Sequence, residues 1–102
     1  MSDKQNNYVS IIIVNYNCWS YLYNCIRSIY ERTLHPYFEI IVIDNASSDP
    51  TILNINIDFP DVKLIVNKYN IGFGAANNVG TKYAIGRYLF FLNPDTILLN
   101  DC

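Results

Sequence analysis

An open, mostly parallel α/β sheet with helices on both faces is the fold class the sequence predicts, and three observations predict it. Four short apolar runs punctuate the chain at 9–14 (VSIIIV), 38–43 (FEIIVI), 62–66 (VKLIV) and 87–92 (RYLFFL). They are rich in β-branched and aromatic residues and mostly do not alternate with polar ones, as strands covered on both faces require. The intervals hold roughly 17 to 23 residues, room for the helical crossover that parallel neighbours need.

The first interval has a clear helical pattern. Trp19, Leu22, Tyr23, Ile26, Ile29 and Tyr30 recur as one apolar stripe, and the helix should stop before His35-Pro36, because a residue preceding proline is pushed out of the α region. The second interval opens with Ser48-Asp49-Pro50, a cap residue and a proline at the first helical position. Leu53, Ile55, Ile57 and Phe59 then alternate with polar residues as in a strand, and Asn54 and Asn56 are poor helix formers. A short, weak helix is expected, because a strand there would break the crossover logic. In the third interval Ala76, Val79 and Tyr83 share a face, so a helix should start near Gly74 and end at Gly86. The pattern is β-α-β-α-β-α-β, and right-handed crossovers put helices on both faces of the sheet.

With 102 residues the chain makes a single domain, 1–102. Hydrophobic residues make up 51% and charged residues 16%, which excludes a disordered or coiled-coil chain. A formal net charge of −2 with no basic block argues against a nucleic-acid binder. Cys18, Cys25 and Cys102 form no Cys-x-x-Cys pair, so they read as small apolar fillers rather than a disulfide or zinc framework. The first seven residues are polar and the run that follows is too short for a signal peptide or membrane span. The expected location is the cytoplasm, without a transmembrane segment, and peripheral membrane association stays open.

The residues after each strand carry the functional signal. They are Asn15-Tyr16-Asn17, then Asp44-Asn45-Ala46-Ser47-Ser48-Asp49, then Asn67-Lys68-Tyr69-Asn70-Ile71-Gly72, then Asn93-Pro94-Asp95-Thr96. Ligands of open parallel sheets sit at this carboxyl edge, where strand order reverses. Asn, Asp and Ser are also ordinary turn residues, but four such turns on one edge point to a site. Gly72-Phe73-Gly74 begins like a dinucleotide fingerprint, yet Asn77 stands where the third glycine belongs. The helix start there could still cradle phosphate with free N–H groups. Asp44 could accept a hydrogen bond from the imide N–H of uracil or thymine or from a ribose hydroxyl, or cap its own turn through Asn45 and Ser47. Asp95 could hold a hard divalent cation, with phosphate and water completing the shell, or lead an Asx turn. His35 lies on the amino edge and receives no function; Lys4, Lys63, Lys82, Arg27, Arg32 and Arg87 read as solvated surface charges.

Taken together these segments resemble the start of an inverting family 2 glycosyltransferase of the GT-A type, from about Tyr8 to the last residue. "VSIIIVNYN" resembles the opening strand and the loop that holds the nucleotide base. "EIIVIDNASSDPT" resembles the second strand and turn, whose aspartate, Asp44, would contact the base. "NKYNIGFGAANNVGTKYAIGRYLFFLNPDT" resembles the stretch that runs into the metal motif. The resemblance implies the Rossmann-like N-terminal half of a GT-A fold and a nucleotide-sugar site at Asn15, Tyr16, Asn17, Asp44, Asn45, Asn70, Gly72, Phe73, Asn93 and Asp95. It implies Asp95 as ligand to a divalent cation, Mn²⁺ or Mg²⁺, that holds the diphosphate. Asn93-Pro94-Asp95 replaces the usual Asp-x-Asp and resembles the branch that includes rhamnosyltransferases acting on dTDP-sugars. A UDP- or dTDP-sugar donor and a glycan or lipid-linked acceptor would then be the partners. The chain covers less than half of a typical GT-A domain, its donor half, and no residue in it is suited to the catalytic base. The alternatives are a non-catalytic nucleotide- or phosphate-binding α/β module and a remnant whose polar edge is only turns. Strand four is expected to leave an exposed sheet edge through which the chain dimerises.

Overall fold

The computed structural model describes residues 5–33, 37–48 and 50–92, with side chains from Tyr8 onward. The elements are β1 (Gln5–Asn15), α1 (Trp19–Arg32), β2 (Phe38–Asp44), a 3-10 turn (Pro50–Asn54) leading into α2 (Ile55–Asp58), β3 (Lys63–Val66), α3 (Phe73–Tyr83) and β4 (Gly86–Leu92). The four strands form one sheet in the order β3-β2-β1-β4, and every pairing is parallel. The chain steps outward from β1 through β2 to β3, and α3 then carries it back to the far side of β1. Strand order therefore reverses at β1, with the expected parallel topology.

The two stepping directions put helices on opposite faces, which explains why the apolar runs do not alternate. Ile11, Ile13, Ile40 and Val42 pack with Leu22 and Ile26 of α1 and with Ile52, Ile55 and Phe59 of the second crossover. Ile12, Val14, Ile41 and Ile43 face the other way, onto Ala76 and Ala84. Each fully buried Ile or Leu side chain contributes roughly 1.5–3 kcal/mol, so the central strands β1 and β2 carry the core. Small residues let α3 lie close to the sheet: a Cβ on Gly80 would stand 2.5 Å from Ile12 Cγ2.

α1 follows its predicted stripe. Leu22 and Ile26 are buried, Trp19, Tyr23 and Ile29 pack around them, and Tyr30 lies against Phe38 and Phe59 with ring centroids 5.6 Å and 5.9 Å away. No side chain caps its start, so packing rather than capping holds this helix. The second crossover is helical but short, as expected. Asn56, poor for helix propensity, donates from Nδ2 to the carbonyls of Phe59 and Val62 at 3.0 and 2.7 Å and so fastens the turn into β3.

Some expectations need correction. The third helix begins at Phe73 and ends at Tyr83, and Gly86 is the first residue of β4 rather than a helix stop. The chain is already extended at Ala84, because β4 must start level with the amino end of β1. Lys63 is no free surface charge: its Nζ lies 2.7 Å from Oε1 of the buried Glu39. Cys25 is a free, half-buried thiol whose pKa burial raises, and Cys18 is buried in the core; Cys102 lies outside the described residues. His35, Pro36, Asp49, Asn93, Pro94 and Asp95 lie outside the described residues. No described helix is long and apolar enough to cross a membrane.

Candidate nucleotide site at the carboxyl edge

The register brings the strand ends level. Asn15 pairs with Asp44 across β1 and β2, Asp44 pairs with Val66 across β2 and β3, and Leu92 of β4 pairs with Ile13. The loops after the first three strands therefore open on one edge, beside the point where strand order reverses.

Asp44 is only 1% exposed, and its carboxylate is occupied. Oδ1 accepts from Asn15 Nδ2 at 3.0 Å and from Ser47 Oγ at 2.6 Å, and Oδ2 accepts from the Ser47 N–H at 3.0 Å. Of its two sequence readings, the turn cap is visible in these contacts. Asn45, also buried, clamps the third loop. Its Oδ1 accepts from the Ile71 N–H at 3.0 Å and from Asn67 Nδ2 at 3.2 Å, and its Nδ2 donates to the Gly72 carbonyl at 3.1 Å. Asn17 joins the first two loops: its N–H donates to Ser47 Oγ at 2.8 Å, and its Oδ1 accepts from the Ser48 N–H at 2.9 Å and Ser48 Oγ at 3.2 Å. Asn70 Oδ1 accepts from the Gly72 N–H at 2.9 Å.

Two non-glycine residues in these loops are left-handed, Asn17 at φ 54° and Ala46 at φ 66°. Asparagine tolerates that region, but alanine there costs roughly 1–2 kcal/mol. The clamped neighbours Asn45 and Ser47 hold Ala46 in place, so the loops are fastened together against local preference.

The predicted residues thus separate into two tiers. Asn15, Asp44 and Asn45 are buried framework, while Asn70, Gly72, Phe73 and the 49%-exposed Tyr16 face outward. Asn15 Oδ1 is buried yet accepts no hydrogen bond among the described residues, leaving an acceptor for a ligand donor. The N–H groups of the first turn of α3 lie at the same edge. Ser47, Ser48 and Asn67 complete the framework. A serine just after a strand-ending aspartate signals the first of these contacts, but the pairings with Asn17 and Asn45 cross between loops and have no local signal. Among the described residues no three His, Cys, Asp or Glu side chains come together, so none of them forms a cation cage.

Comparison with known proteins decides the family. The model of glycosyl transferase family 2 matches residues 10–102. The chain belongs to glycosyl transferase family 2. This family 2 chain is 37% identical over 91 residues to the Escherichia coli UDP-Glc:alpha-D-GlcNAc-diphosphoundecaprenol beta-1,3-glucosyltransferase WfgD, covering 87% of the chain and 35% of WfgD. It is 33% identical over 103 residues to the Bacillus subtilis minor teichoic acid biosynthesis protein GgaB, covering 96% of the chain and 11% of GgaB. It thus spans about a third or less of these relatives. Its fold superimposes with a TM-score of 0.80 on the mannosyltransferase PcManGT from Pyrobaculum calidifontis, solved with GDP-Man and Mn²⁺, at 24% identity over 89% of the chain and 28% of the neighbour. S. aureus TarS 1–349, solved with UDP, gives a TM-score of 0.73 at 25% identity over 86% of the chain and 27% of the neighbour.

Proposed function

We propose that this family 2 chain is the donor-binding part of a sugar transferase that takes its sugar from a uridine or thymidine diphosphate and delivers it to a saccharide or lipid-linked acceptor. The observation that carries this reading is the Asn15–Asp44 pair across parallel β1 and β2, beside the reversal of strand order. It is supported by WfgD, whose name specifies a UDP-glucose donor and a lipid-diphosphate acceptor, and by TarS, solved with UDP.

In this reading the exposed Tyr16 ring offers a face on which the base stacks, and Asn15 Oδ1 accepts the imide N–H of uracil or thymine. Asp44 acts one step back, holding Asn15 and the second loop in place. Asn70 and Gly72 shape the entry to α3, whose first-turn N–H groups face the diphosphate. A divalent cation, Mn²⁺ or Mg²⁺, would be held by Asp95, in the segment after β4 and outside the described residues, with Asn93 beside it in sequence. When bound, the ion would offset the charge of the departing nucleoside diphosphate. Asp44 is occupied and Glu39 lies at the opposite edge, so neither of these two buried carboxylates is placed to serve as the base for the acceptor hydroxyl. A nucleotide-sugar donor puts the chain in the cytoplasm, and a lipid-linked acceptor would bring it to the membrane surface.

Thermal-shift titration with UDP, dTDP, FMN and inorganic phosphate, each with and without Mn²⁺, tests the reading. The pyrimidine diphosphates should raise the melting temperature in a cation-dependent way, saturation at a hundredfold excess over Kd giving about 2.7 kcal/mol. An equal response to every phosphate would favour the phosphate-binding module, and no response would leave the polar edge as turns.

A further inference from the structure

β4 is the strand whose position its own side chains, apart from Leu92 against the α1-side core, do not explain. Tyr88, Leu89, Phe90 and Phe91 are all exposed, and none of them belongs to either core cluster. Its sequence, GRYLFFL, presents large apolar side chains on both faces. Sliding it by one residue against β1 would exchange one apolar set for another, so the hydrophobic pattern that fixes register elsewhere does not fix it here.

A single register is distinguished at the amino end. The Gly86 N–H donates to Ser10 Oγ at 2.8 Å, and Ser10 Oγ donates to Glu39 Oε2 at 2.6 Å. The Ile85 N–H donates to the same Oε2 at 2.7 Å, and Lys63 Nζ lies 2.7 Å from Oε1. One carboxylate on β2 thus ties together β1, β3 and the start of β4. A Cβ on Gly86 would stand 2.6 Å from Ser10 Oγ, 2.7 Å from Ser10 N and 2.8 Å from the Tyr8 carbonyl. Neither neighbour, Ile85 nor Arg87, could take its place. The ladder cannot substitute, because it is interrupted here: Gln5 pairs with Gly86 and Val9 with Tyr88, four steps of β1 against two of β4.

We propose that Glu39, Ser10 and Gly86 form a register lock that sets the height at which β4 meets the carboxyl edge. In this role Glu39 is a positioning residue for the donor site, five residues along β2 from Asp44 and so ~17 Å away. With the lock closed, Leu92 stands opposite Ile13, two residues before the end of β1, and Asn93 and Asp95 follow it in sequence. The donors from Ser10 and Ile85 converge on one oxygen, so a single carbonyl oxygen suffices for the lock and the Lys63 pair is accessory. Burial by itself would raise the Glu39 pKa, but the Ile85 N–H, Lys63 and the Ser10 hydroxyl outweigh it and hold the carboxyl below its ordinary range. Tyr8, Tyr30, Asp61 and Lys63 are the titratable groups that share with Glu39 a cleft of about 440 Å³ at this edge.

The consequence for the donor site rests on the function proposed above, so the test has two arms. In the first, amide exchange and inter-strand NOEs are measured on the 102-residue chain and on Glu39→Gln, Glu39→Leu and Ser10→Ala. Glu39→Leu should speed exchange of the 85–92 amides by roughly tenfold or more, as losing hydrogen bonds to a charged acceptor does, and should weaken or shift the Val9–Tyr88 contacts. Glu39→Gln should restore both. If Glu39→Leu does not fold, Ser10→Ala should produce the same selective loosening of β4 while β2 and β3 exchange as before. In the second arm, UDP affinity is measured with and without Mn²⁺. Glu39→Leu should lose the gain due to the cation and keep the metal-free affinity, whereas a general loss of stability would lower both. Unchanged β4 exchange in Glu39→Leu, or a Glu39→Gln as loose as Glu39→Leu, overturns the lock. If the parent chain gains no UDP affinity from Mn²⁺ while β4 still loosens selectively, the lock stands and the donor reading fails.

Discussion

At the scale of single residues, Asp44 is the most informative side chain. Its carboxylate takes three hydrogen bonds while almost wholly buried. Removing it takes from Asn15 Nδ2 its 3.0 Å acceptor and leaves the part-buried Ser47 N–H without its partner. Asp44→Ala should therefore cost about 3 kcal/mol, read as a lower urea midpoint at unchanged m-value, with weaker nucleotide binding as the loops separate. Unchanged stability would mean that Asp44 is not framework. That Asp44 belongs at this edge was legible in the sequence, because a wholly apolar run ending in Asp-Asn-Ala-Ser marks a strand end. That its carboxylate is used up internally was not legible, since the partner Asn15 lies 29 positions away. The same holds for Asn45, whose acceptor reaches Ile71 and Asn67 across a loop.

At the scale of elements, periodicity read correctly where the cause is local. The stripe of α1 is a property of its own residues, and the helix found matches it. Gly86 was misread as a helix stop because its reason for being glycine is the approach of Ser10 and Tyr8 from another strand. β4 shows the complementary case. Its run of aromatics marks a strand, but nothing local reveals that both faces stay open, with Phe90 still 54% exposed. Among the described residues its outer edge has no partner strand, and an unpaired apolar edge is a template for another chain. Light scattering on the isolated 102 residues should show dimers or larger species that grow with concentration, and Phe90→Lys should reduce them. A monomer at all concentrations would count against pairing through this edge.

For the whole molecule, the architecture was readable because burial on both faces writes unbroken apolar runs into β1 and β2, and crossover lengths fix their parallel direction. The buried Glu39 was not readable, since a lone acid at the start of an apolar run looks like a strand-end charge. It leaves a mark on overall stability. A folded-state pKa below the ordinary 4.5 means that the unfolded chain binds the proton first as pH falls. The Glu39 contribution is therefore complete above about pH 5, and it is lost as pH drops through the depressed value. The stability difference between the parent chain and Glu39→Gln should be flat from pH 5 to 8 and shrink below 4.5. A difference that varied near neutrality would contradict this assignment.

The reversal of strand order also has a consequence in time. β1 emerges before β4 during synthesis yet is flanked on its second side by that strand, whose contact residue, Gly86, follows Ser10 by 76 positions. At roughly 5–20 residues per second, translation leaves that flank bare for about 4–15 s. The ribosome thus releases the apolar run 9–14 of β1 well before its neighbour β4 exists, and chaperone capture of the nascent chain would be concentrated in that interval.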